Sequence, residues 1–162
     1  MTTARHSDVL VELHVPDLAL AGRFYRRFGF RVAREEQARQ GNGYLVLRRA
    51  SSILCFWGGR PAVRDHPYFR RFRRVRKRGY AVEIVVPVRG LDRLYGTARA
   101  AGCVVEDLRD RPWGARDFRI EDPFGFYLRF TEPYDALRAV PPAPARRRAE
   151  SAAARATPRR RS

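Results

Sequence analysis

Polar side chains that can bind a ligand or transfer a proton recur in three short runs of alternating polar and apolar residues. Successive side chains of an extended strand point to opposite faces, so each run would place its polar groups on one face. Carboxylates and imidazoles can accept or donate protons near neutral pH, and guanidinium groups bind anions. The residues concerned are Glu12, His14, Glu83, Tyr127 and Arg129.

Two main interpretations of these polar residues stay open. Glu12 or Glu83 could form an ion pair with Arg129 or with another arginine, because buried charges are normally paired. Alternatively, the same side chains line a polar cleft that orients an organic ligand. A proton-transfer role for Glu12 or His14 is a weaker third hypothesis, since nothing in the sequence indicates a perturbed pKa.

The two tryptophans stand where a large ring can contact a ligand. Trp113 follows Pro112 and precedes Gly114 in a predicted loop, where an indole ring adds little to a core but can stack on a planar compound. Trp57 follows Phe56 at the end of a predicted strand, so one ring of that pair should face a cleft and the other a packed layer. We therefore predict ligand contacts for Trp113 and for Trp57, with structural packing as the alternative for each.

The chain is strongly basic. Its 162 residues carry a formal net charge of +17, and Lys77 is the only lysine. Residues 60–78 hold nine basic side chains, and residues 134–162 hold eight arginines against Asp135 and Glu150. Such patches attract nucleic acid without a dedicated site. A basic nucleic-acid-associated protein is therefore one alternative, although no nucleic-acid-binding motif is present.

The composition limits which classes of protein this chain can belong to. The apolar content of 44%, with ten Phe and seven Tyr, suffices for a core, and no apolar stretch is long enough for a membrane span. The amino terminus lacks an apolar signal region, so we expect a cytoplasmic protein. Cys55 and Cys103 lack metal-ligand spacing and are expected to be free buried thiols. His6 and His66 are expected to be exposed to solvent.

Several features of the sequence recur at an offset of 70 to 73 residues. Strand and helix patterns surround each copy, and together they predict an α+β fold made of two βαβββ modules. Asp17 is predicted to cap the helix of the first module. The recurring pairs are Val15-Pro16 with Val86-Pro87, Phe24-Tyr25 with Leu94-Tyr95, and Gly29 with Gly102.

The predicted domain spans residues 8–133, with modules at about 8–60 and 80–132. Residues 1–7 are predicted to form a flexible amino terminus, and residues 134–162 a disordered tail rich in Arg, Ala and Pro. Between the modules, the pattern of residues 66–78 predicts a short helix. That helix would turn Phe69, Phe72 and Val75 inward and its arginines outward.

Residues 111–130, RPWGARDFRIEDPFGFYLRF, have the pattern of a β-hairpin. Phe118 and Ile120 alternate with Arg119 and Glu121, and Asp-Pro-Phe-Gly follows as a turn. The PWG, R-D-F and DP-x-G elements resemble the closing hairpin of the vicinal-oxygen-chelate superfamily of glyoxalase I, extradiol dioxygenases and bleomycin-resistance proteins. They are most similar to the bleomycin-resistance branch, and the resemblance covers about residues 8–132.

This resemblance implies the glyoxalase/bleomycin-resistance fold, in which two modules form a curved mixed sheet around a cleft. It implies a homodimer whose cleft walls are shared between subunits, with Trp113 stacked on the ligand. The implied function is sequestration of a small planar, antibiotic-like compound by a metal-independent binding protein. A lyase or oxidoreductase of the glyoxalase or dioxygenase type is the alternative. Bleomycins are cationic whereas this chain is basic, so an anionic or neutral planar compound fits equally well.

Metal-dependent proteins of this superfamily place His or Glu at four inward strand positions. By local motif these positions fall on Leu10, Ala81, Arg129 and a residue within 53–56. None of them offers an oxygen or imidazole ligand, and the charge of Arg129 repels a divalent cation. The resemblance therefore predicts no metal and no other cofactor. A register shift of two residues would instead bring Glu12 or Glu83 inward.

Overall fold

Two four-stranded sheets, each with one helix, make up most of the described chain. The computed structural model describes residues 10–37, 42–59, 65–72 and 77–134. In the first module the elements are β1 (Glu12–Val15), α1 (Leu18–Arg26), β2 (Arg31–Gln37), β3 (Gly43–Arg49) and β4 (Ser52–Gly58). In the second they are β5 (Glu83–Pro87), α2 (Leu91–Ala100), β6 (Val104–Asp110), β7 (Arg116–Glu121) and β8 (Tyr127–Thr131). The predicted α+β fold of two βαβββ modules is confirmed.

The two sheets have the same topology. The strand order is β1-β4-β3-β2 in sheet 1 and β5-β8-β7-β6 in sheet 2. The first and last strands of each module pair in parallel, and the other neighbours are antiparallel. This common register makes Glu12 of β1 equivalent to Glu83 of β5, and Trp57 of β4 equivalent to Arg129 of β8.

Helix α1 begins at the predicted cap. The side chain of Asp17 accepts a hydrogen bond of 2.8 Å from the backbone N–H of Leu20, which satisfies one of the free donors at the helix start. After the helix, Gly29 adopts a φ of +82°. This left-handed conformation suits glycine and turns the chain into β2.

One core joins the two modules. The ring of Phe28, just after α1, stacks on that of Phe130 in β8 at a centroid distance of 5.2 Å. Phe130 stacks in turn on Phe118 in β7 at 5.3 Å. Burying such a side chain stabilises a protein by about 1.5–3 kcal/mol, so separating the modules would be costly. The largest fully buried rings come from both modules: Tyr25, Phe28, Phe30, Phe56, Phe118 and Phe130.

Each sheet packs one apolar face on this core and turns a polar face away from it. In β4, Leu54 and Phe56 belong to the core, whereas the alternate residue Trp57 lies on the other face. In β8, Leu128 and Phe130 belong to the core and Arg129 lies on the other face. The two polar faces, one per sheet, therefore point away from the shared core.

The predicted helix over residues 66–78 is wrong in the part that the structure describes. A single 3₁₀ turn covers Phe69–Phe72, and both phenylalanine rings are exposed rather than turned inward. The Nδ1 atom of His66 accepts two backbone N–H groups at 3.2 Å each. This local bonding favours a tight turn over a longer α-helix. Val75 lies outside the described residues.

Leu10 and Ala81, which the motifs assigned to inward strand positions, do not lie on strands. Because β1 starts at Glu12 and β5 at Glu83, both residues precede their strands and are exposed. The carbonyl of Gly79 accepts a hydrogen bond of 3.0 Å from the N–H of Val82, and this turn delays the start of β5.

Other predictions concern the termini and the cysteines. His6 and the predicted tail beyond residue 134 lie outside the described residues. Cys55 is buried and Cys103 half-buried, both as free thiols.

Within the described ranges, no helix is long and apolar enough to cross a membrane.

Candidate functional site

The polar face of sheet 1 combines acidic, aromatic and imidazole side chains. Glu12 and His14 lie on β1, Tyr44 on β3, and Cys55 and Trp57 on β4, in two adjacent cross-strand rows. The Oε1 atom of Glu12 lies 3.1 Å from Nε2 of His14. A hydrogen bond with Cys55, together with burial, raises the pKa of Tyr44. The phenol therefore stays neutral at physiological pH.

His14 is held among other rings. The centroid of its imidazole lies 4.9 Å from that of His66 and 4.7 Å from that of Phe69, so the 3₁₀ turn covers this end of the face. Its Nδ1 atom is buried and has no hydrogen-bond partner among the described residues. Burial lowers the pKa of His14, and the neighbouring charge of Glu12 opposes that shift only in part. The neutral imidazole is therefore favoured near neutral pH.

The polar face of sheet 2 is a network of arginines and carboxylates. Arg119 in β7 donates to Glu83 at 3.2 Å, to Glu106 at 3.0 Å and to Asp117 at 2.8 Å. Arg111, in the loop before β7, donates to Glu106 and Asp117 as well. The side chain of Asp117 is fully buried, and those of Arg111 and Arg119 are 8% and 10% exposed. Charge-assisted bonds between such desolvated groups hold the network in one arrangement.

Glu106 is the carboxylate that connects most of this network. Its Oε2 accepts bonds from Arg109, Arg111 and Arg119, and its Oε1 accepts one of 2.9 Å from the hydroxyl of Tyr127. The bond from Arg111 is the largest of several effects that lower the pKa of Glu106 to about 2. Burial, with the bond to Glu106, raises the pKa of Tyr127 to about 12. At neutral pH the carboxylate is ionised and the phenol is protonated.

Arg129 stands at the edge of the network beside two aromatic rings. Its guanidinium carbon lies 5.6 Å from the ring centroid of Trp113 and 6.0 Å from that of Tyr134, within the range of cation–π contacts. The guanidinium carbon of Arg111 lies 5.9 Å from the same Trp113 ring. Trp113 is half-buried. Its indole is thus held by two arginines at the border of the polar face.

The structure divides the seven predicted site residues between the two sheets. Glu12, His14 and Trp57 belong to the polar face of sheet 1, whereas Glu83, Tyr127, Arg129 and Trp113 belong to that of sheet 2. Since both faces point away from the core, the described part of one chain does not gather the two groups around one cleft. Glu83 forms ion pairs with Arg119 and Arg129, as the pairing interpretation required, and Glu12 contacts His14.

Much of the sheet 2 network was not predicted from the sequence. The alternation in the hairpin placed Arg119 on the face opposite Phe118, and the structure confirms this, but it gave no partners for the arginine. The register of β6 against β7 has two irregularities, which hide the position of Glu106 from simple alternation. The residues missed are Glu106, Arg111, Asp117, Arg119 and Tyr134.

A separate groove of about 610 Å³ runs between α1, the end of α2 and the turn after β7. Arg23, Phe24, Arg27 and Cys103 are among the residues that line it. None of the predicted site residues does so. The acidic side chain of Glu121 at this groove is already bonded to Lys77 at 2.7 Å. The groove is an open surface feature, and we assign no ligand to it.

Comparison with known proteins now places this fold. The sequence model of the Glyoxalase/Bleomycin resistance protein/Dioxygenase superfamily matches residues 9–130. The chain belongs to this superfamily. The resemblance inferred from the hairpin motifs is therefore confirmed. No sequence among the curated proteins matches this superfamily member.

Solved structures of similar proteins share the fold. TioX from Micromonospora sp. ML1 is 27% identical, with a TM-score of 0.57 over 82% of this chain and 100% of that one. UcmS2 is 21% identical, with a TM-score of 0.62 over 80% of this chain and 100% of that one. A bleomycin resistance determinant encoded on the transposon Tn5 is 17% identical, with a TM-score of 0.50 over 80% and 100%. At 21% and 17% identity, the likeness to the last two shows the fold alone.

The side chains that the structure describes do not fit a divalent metal ion. A metal-dependent site needs several donors that converge on one point. Glu12 and His14 form a close pair, but the described residues contain no group of three His, Cys, Asp or Glu side chains that could hold a metal. In sheet 2, Glu83 is shared between Arg119 and Arg129. We derive no chemical step through a metal.

Proposed function

We propose that this superfamily member binds a small planar organic ligand and sequesters it without chemical change, as a bleomycin-resistance-like binding protein. The observation that carries the proposal is the position of Trp113. Its ring lies against the guanidinium groups of Arg111 and Arg129 at a polar sheet face rather than in the core. A fixed indole at such a face offers a flat surface on which a planar compound can stack.

The protonation states of Tyr127 and Glu106 favour binding over catalysis at the polar face of sheet 2. Burial and the bond to Glu106 raise the pKa of Tyr127 to about 12, and hydrogen bonds lower the pKa of Glu106 to about 2. Neither group changes its charge near neutral pH, as an efficient general acid or base would. Groups locked in charge and position instead supply fixed polar contacts to a ligand.

We also propose that the ligand site is shared between two copies of the chain. The polar faces of one chain point away from its core, so a cleft with both faces as walls requires a second copy. The sheet 1 face of one subunit would then lie opposite the sheet 2 face of its partner. Such a homodimer would combine Glu12, His14 and Trp57 with Trp113 and Arg129 across each cleft. A cytoplasmic location and independence from metal belong to the same proposal.

Calorimetric titration with two planar compounds tests the binding function. Metal-free bleomycin tests the antibiotic itself, and neutral 2-naphthamide tests planar binding without a charge. We expect saturable binding of at least one of them, weakened at least about tenfold by Trp113→Ala because the stacking surface is lost. Tyr68→Ala is the control, since Tyr68 is an exposed aromatic residue just before the 3₁₀ turn. Equal affinities in wild type and Trp113→Ala would contradict the proposal, and so would a failure of bleomycin, 2-naphthamide and the anion 2-naphthoate all to bind.

Sedimentation velocity tests the shared cleft. We expect a dimer at micromolar concentration, and ligand binding that weakens on dilution to monomer. A monomer that binds the ligand at full affinity would contradict the two-subunit site while leaving the binding function intact.

A further inference from the structure

We propose that the ligand is an organic anion and that the guanidinium of Arg129 binds its carboxylate, or a similar oxyanion, beside the ring of Trp113. This inference rests on the proposed binding function and names the class of compound that the site selects. It is carried by the uneven pairing of charges on the polar face of sheet 2.

Arg129 is the least compensated cation of that face among the described residues. Arg119 makes hydrogen bonds to three carboxylates. Arg129 has one ionic partner in the same part of the chain, Glu83, whose Oε2 lies 3.6 Å from its Nε. That separation exceeds hydrogen-bond length, and the other oxygen of Glu83 already accepts a bond from Arg119. Arg129 therefore shares its one carboxylate partner, Glu83, with Arg119.

The charged side chains on the polar face of sheet 2 carry a net positive charge. Within the described ranges, four arginines meet three carboxylates, which leaves one positive charge in excess. Arg119 and Arg129 lie directly opposite each other on β7 and β8, and like charges in that position destabilise a sheet. An anion bound at Arg129 would relieve this repulsion. The network consists of Arg109, Arg111, Arg119 and Arg129 with Glu83, Glu106 and Asp117.

The Nη groups of Arg129 have donors left for such an anion. Nη2 makes one long bond of 3.4 Å to the hydroxyl of Tyr134, whereas Nε is buried against Glu83 and does not contribute an accessible donor. A guanidinium offers five N–H donors, so most of them are unused within the described chain. The side chain is 16% exposed and is held beside two rings, Trp113 and Tyr134. The Arg129 side chain would therefore lose little conformational freedom on binding an anion.

The neighbouring rings indicate that the ligand carries an aromatic group next to its anionic group. Because Trp113 lies 5.6 Å from the guanidinium carbon, a carboxylate on Arg129 would place an attached aromatic group beside the indole. One compound could then stack on the ring and pair with the charge. The same surplus charge disfavours a cationic ligand at this wall, and the net charge of +17 on the chain adds to that selection.

NMR titration with two probes of equal shape and different charge tests the inference. The probes are 2-naphthoate, an anion, and 2-naphthamide, its neutral counterpart. The chain has two tryptophans, so the indole N–H resonance of Trp113 reports sheet 2 and that of Trp57 reports sheet 1. Trp57→Phe and Trp113→Phe assign the two resonances. Arg129→Gln removes the proposed anion site, and Arg93→Gln is the matched control, because Arg93 is exposed on α2, outside the network, and its replacement removes the same unit of charge.

We expect naphthoate to shift the Trp113 resonance saturably at a concentration at least about tenfold lower than naphthamide does, because its bonds are charge-assisted. Arg129→Gln should abolish that preference and Arg93→Gln should keep it. Equal binding of both probes, unchanged in Arg129→Gln, would overturn anion selection and leave planar binding standing. An equal loss in both variants would also overturn it, since a diffuse field would then explain the preference. If neither probe moves the Trp113 resonance, this inference fails, and the proposed function fails with it when bleomycin does not bind either.

Discussion

The hydroxyl of Tyr25 in α1 donates a hydrogen bond of 3.0 Å to the carboxylate of Asp122 in the turn between β7 and β8, and so connects the two modules. Tyr25 is 0% exposed and Asp122 is 4% exposed. The same carboxylate accepts the backbone N–H groups of Phe124 and Phe126 at 2.9 and 2.8 Å. One buried side chain thus shapes the turn of the hairpin and ties that hairpin to the helix of the other module.

Replacing Tyr25 should destabilise the fold through this bond. We expect Tyr25→Phe to lower the free energy of unfolding by about 1–3 kcal/mol, because a buried carboxylate loses a donor. The control is Tyr95→Phe in the repeated position of α2, where the bond to Asp107 is exposed. That change should cost less than about 1 kcal/mol. Urea denaturation measures both, and equal losses would contradict a special role for the Tyr25–Asp122 bond.

The turn itself also depends on Gly125. A Cβ atom there would lie 2.9 Å from the Cα of Lys77, and the residue has a φ of +84°. Gly114 has a similar φ of +81°, but a Cβ atom added to it would have no neighbouring atom within 4 Å among the described residues. We expect Gly114→Ala to cost about 1–2 kcal/mol from backbone strain alone, and Gly125→Ala to cost at least about 1 kcal/mol more from the added clash. Thermal denaturation compares the two variants, and equal costs would show that the packing of residues 77–79 on the turn is loose.

The elements of this fold were predictable because their signals are local. Asp17 before an apolar helical pattern predicted the start of α1, and the recurring pair Gly29 and Gly102 lies just after the ends of the two helices. The alternation in β7 separated Phe118 from Arg119 correctly. These features depend on a few neighbouring residues, so they can be predicted from a single sequence.

The candidate site was less predictable because it depends on register and on how the modules pack. Glu12 and Glu83 were correctly placed on strands. The direction in which each polar face points, however, follows from the core that Phe28 and Phe130 build between the modules. The partners of Arg119 depend on the irregular pairing of β6. The helix predicted around Phe69 did not form because His66 accepts the backbone N–H groups of Tyr68 and Phe69, and this bonding favours a tight turn.

The positive surplus at sheet 2 should be measurable without any ligand. Trp113 lies near Arg111 and Arg129, whereas Trp57 pairs across strands with His14, beside Glu12. We expect iodide to quench Trp113 more strongly, relative to caesium, than it quenches Trp57, because a positive field concentrates anions. Trp57→Phe and Trp113→Phe isolate each fluorophore, and the difference should shrink at high salt. Equal iodide-to-caesium ratios in the two variants would refute the charge asymmetry of the faces.

The pKa of His14 should respond to Glu12. Burial lowers that pKa from its ordinary value of 6.5, Glu12 raises it, and His66 and Arg78 lower it further. We therefore expect Glu12→Gln to lower the pKa of His14 further. NMR titration of the imidazole C–H resonances measures this pKa. Glu35→Gln, an exposed change on β2 of the same sheet, is the control. Because the pKa is lowered on folding, the stability that His14 contributes is present above pH 6.5 and is lost as the pH falls through the pKa of the folded state. A higher pKa in Glu12→Gln would contradict the pairing of the two residues.

The network around Glu106 should make the fold sensitive to acid in a defined window. Hydrogen bonds, that of Arg111 first, lower the pKa of Glu106 from 4.5 to about 2. A carboxyl whose pKa falls on folding contributes stability that is complete above its unfolded pKa and is lost as it becomes protonated in the folded state. The difference in unfolding free energy between wild type and Glu106→Gln should therefore be constant above pH 4.5 and shrink as the pH falls toward about 2. Denaturant titrations across this range measure it, with Asp110→Asn at the exposed end of β6 as the control. Asp92 and Glu132, whose pKa values Arg116 also lowers, titrate in both proteins and cancel from the difference. A difference that does not change with pH would mean that Glu106 stabilises the sheet by packing rather than by its charge.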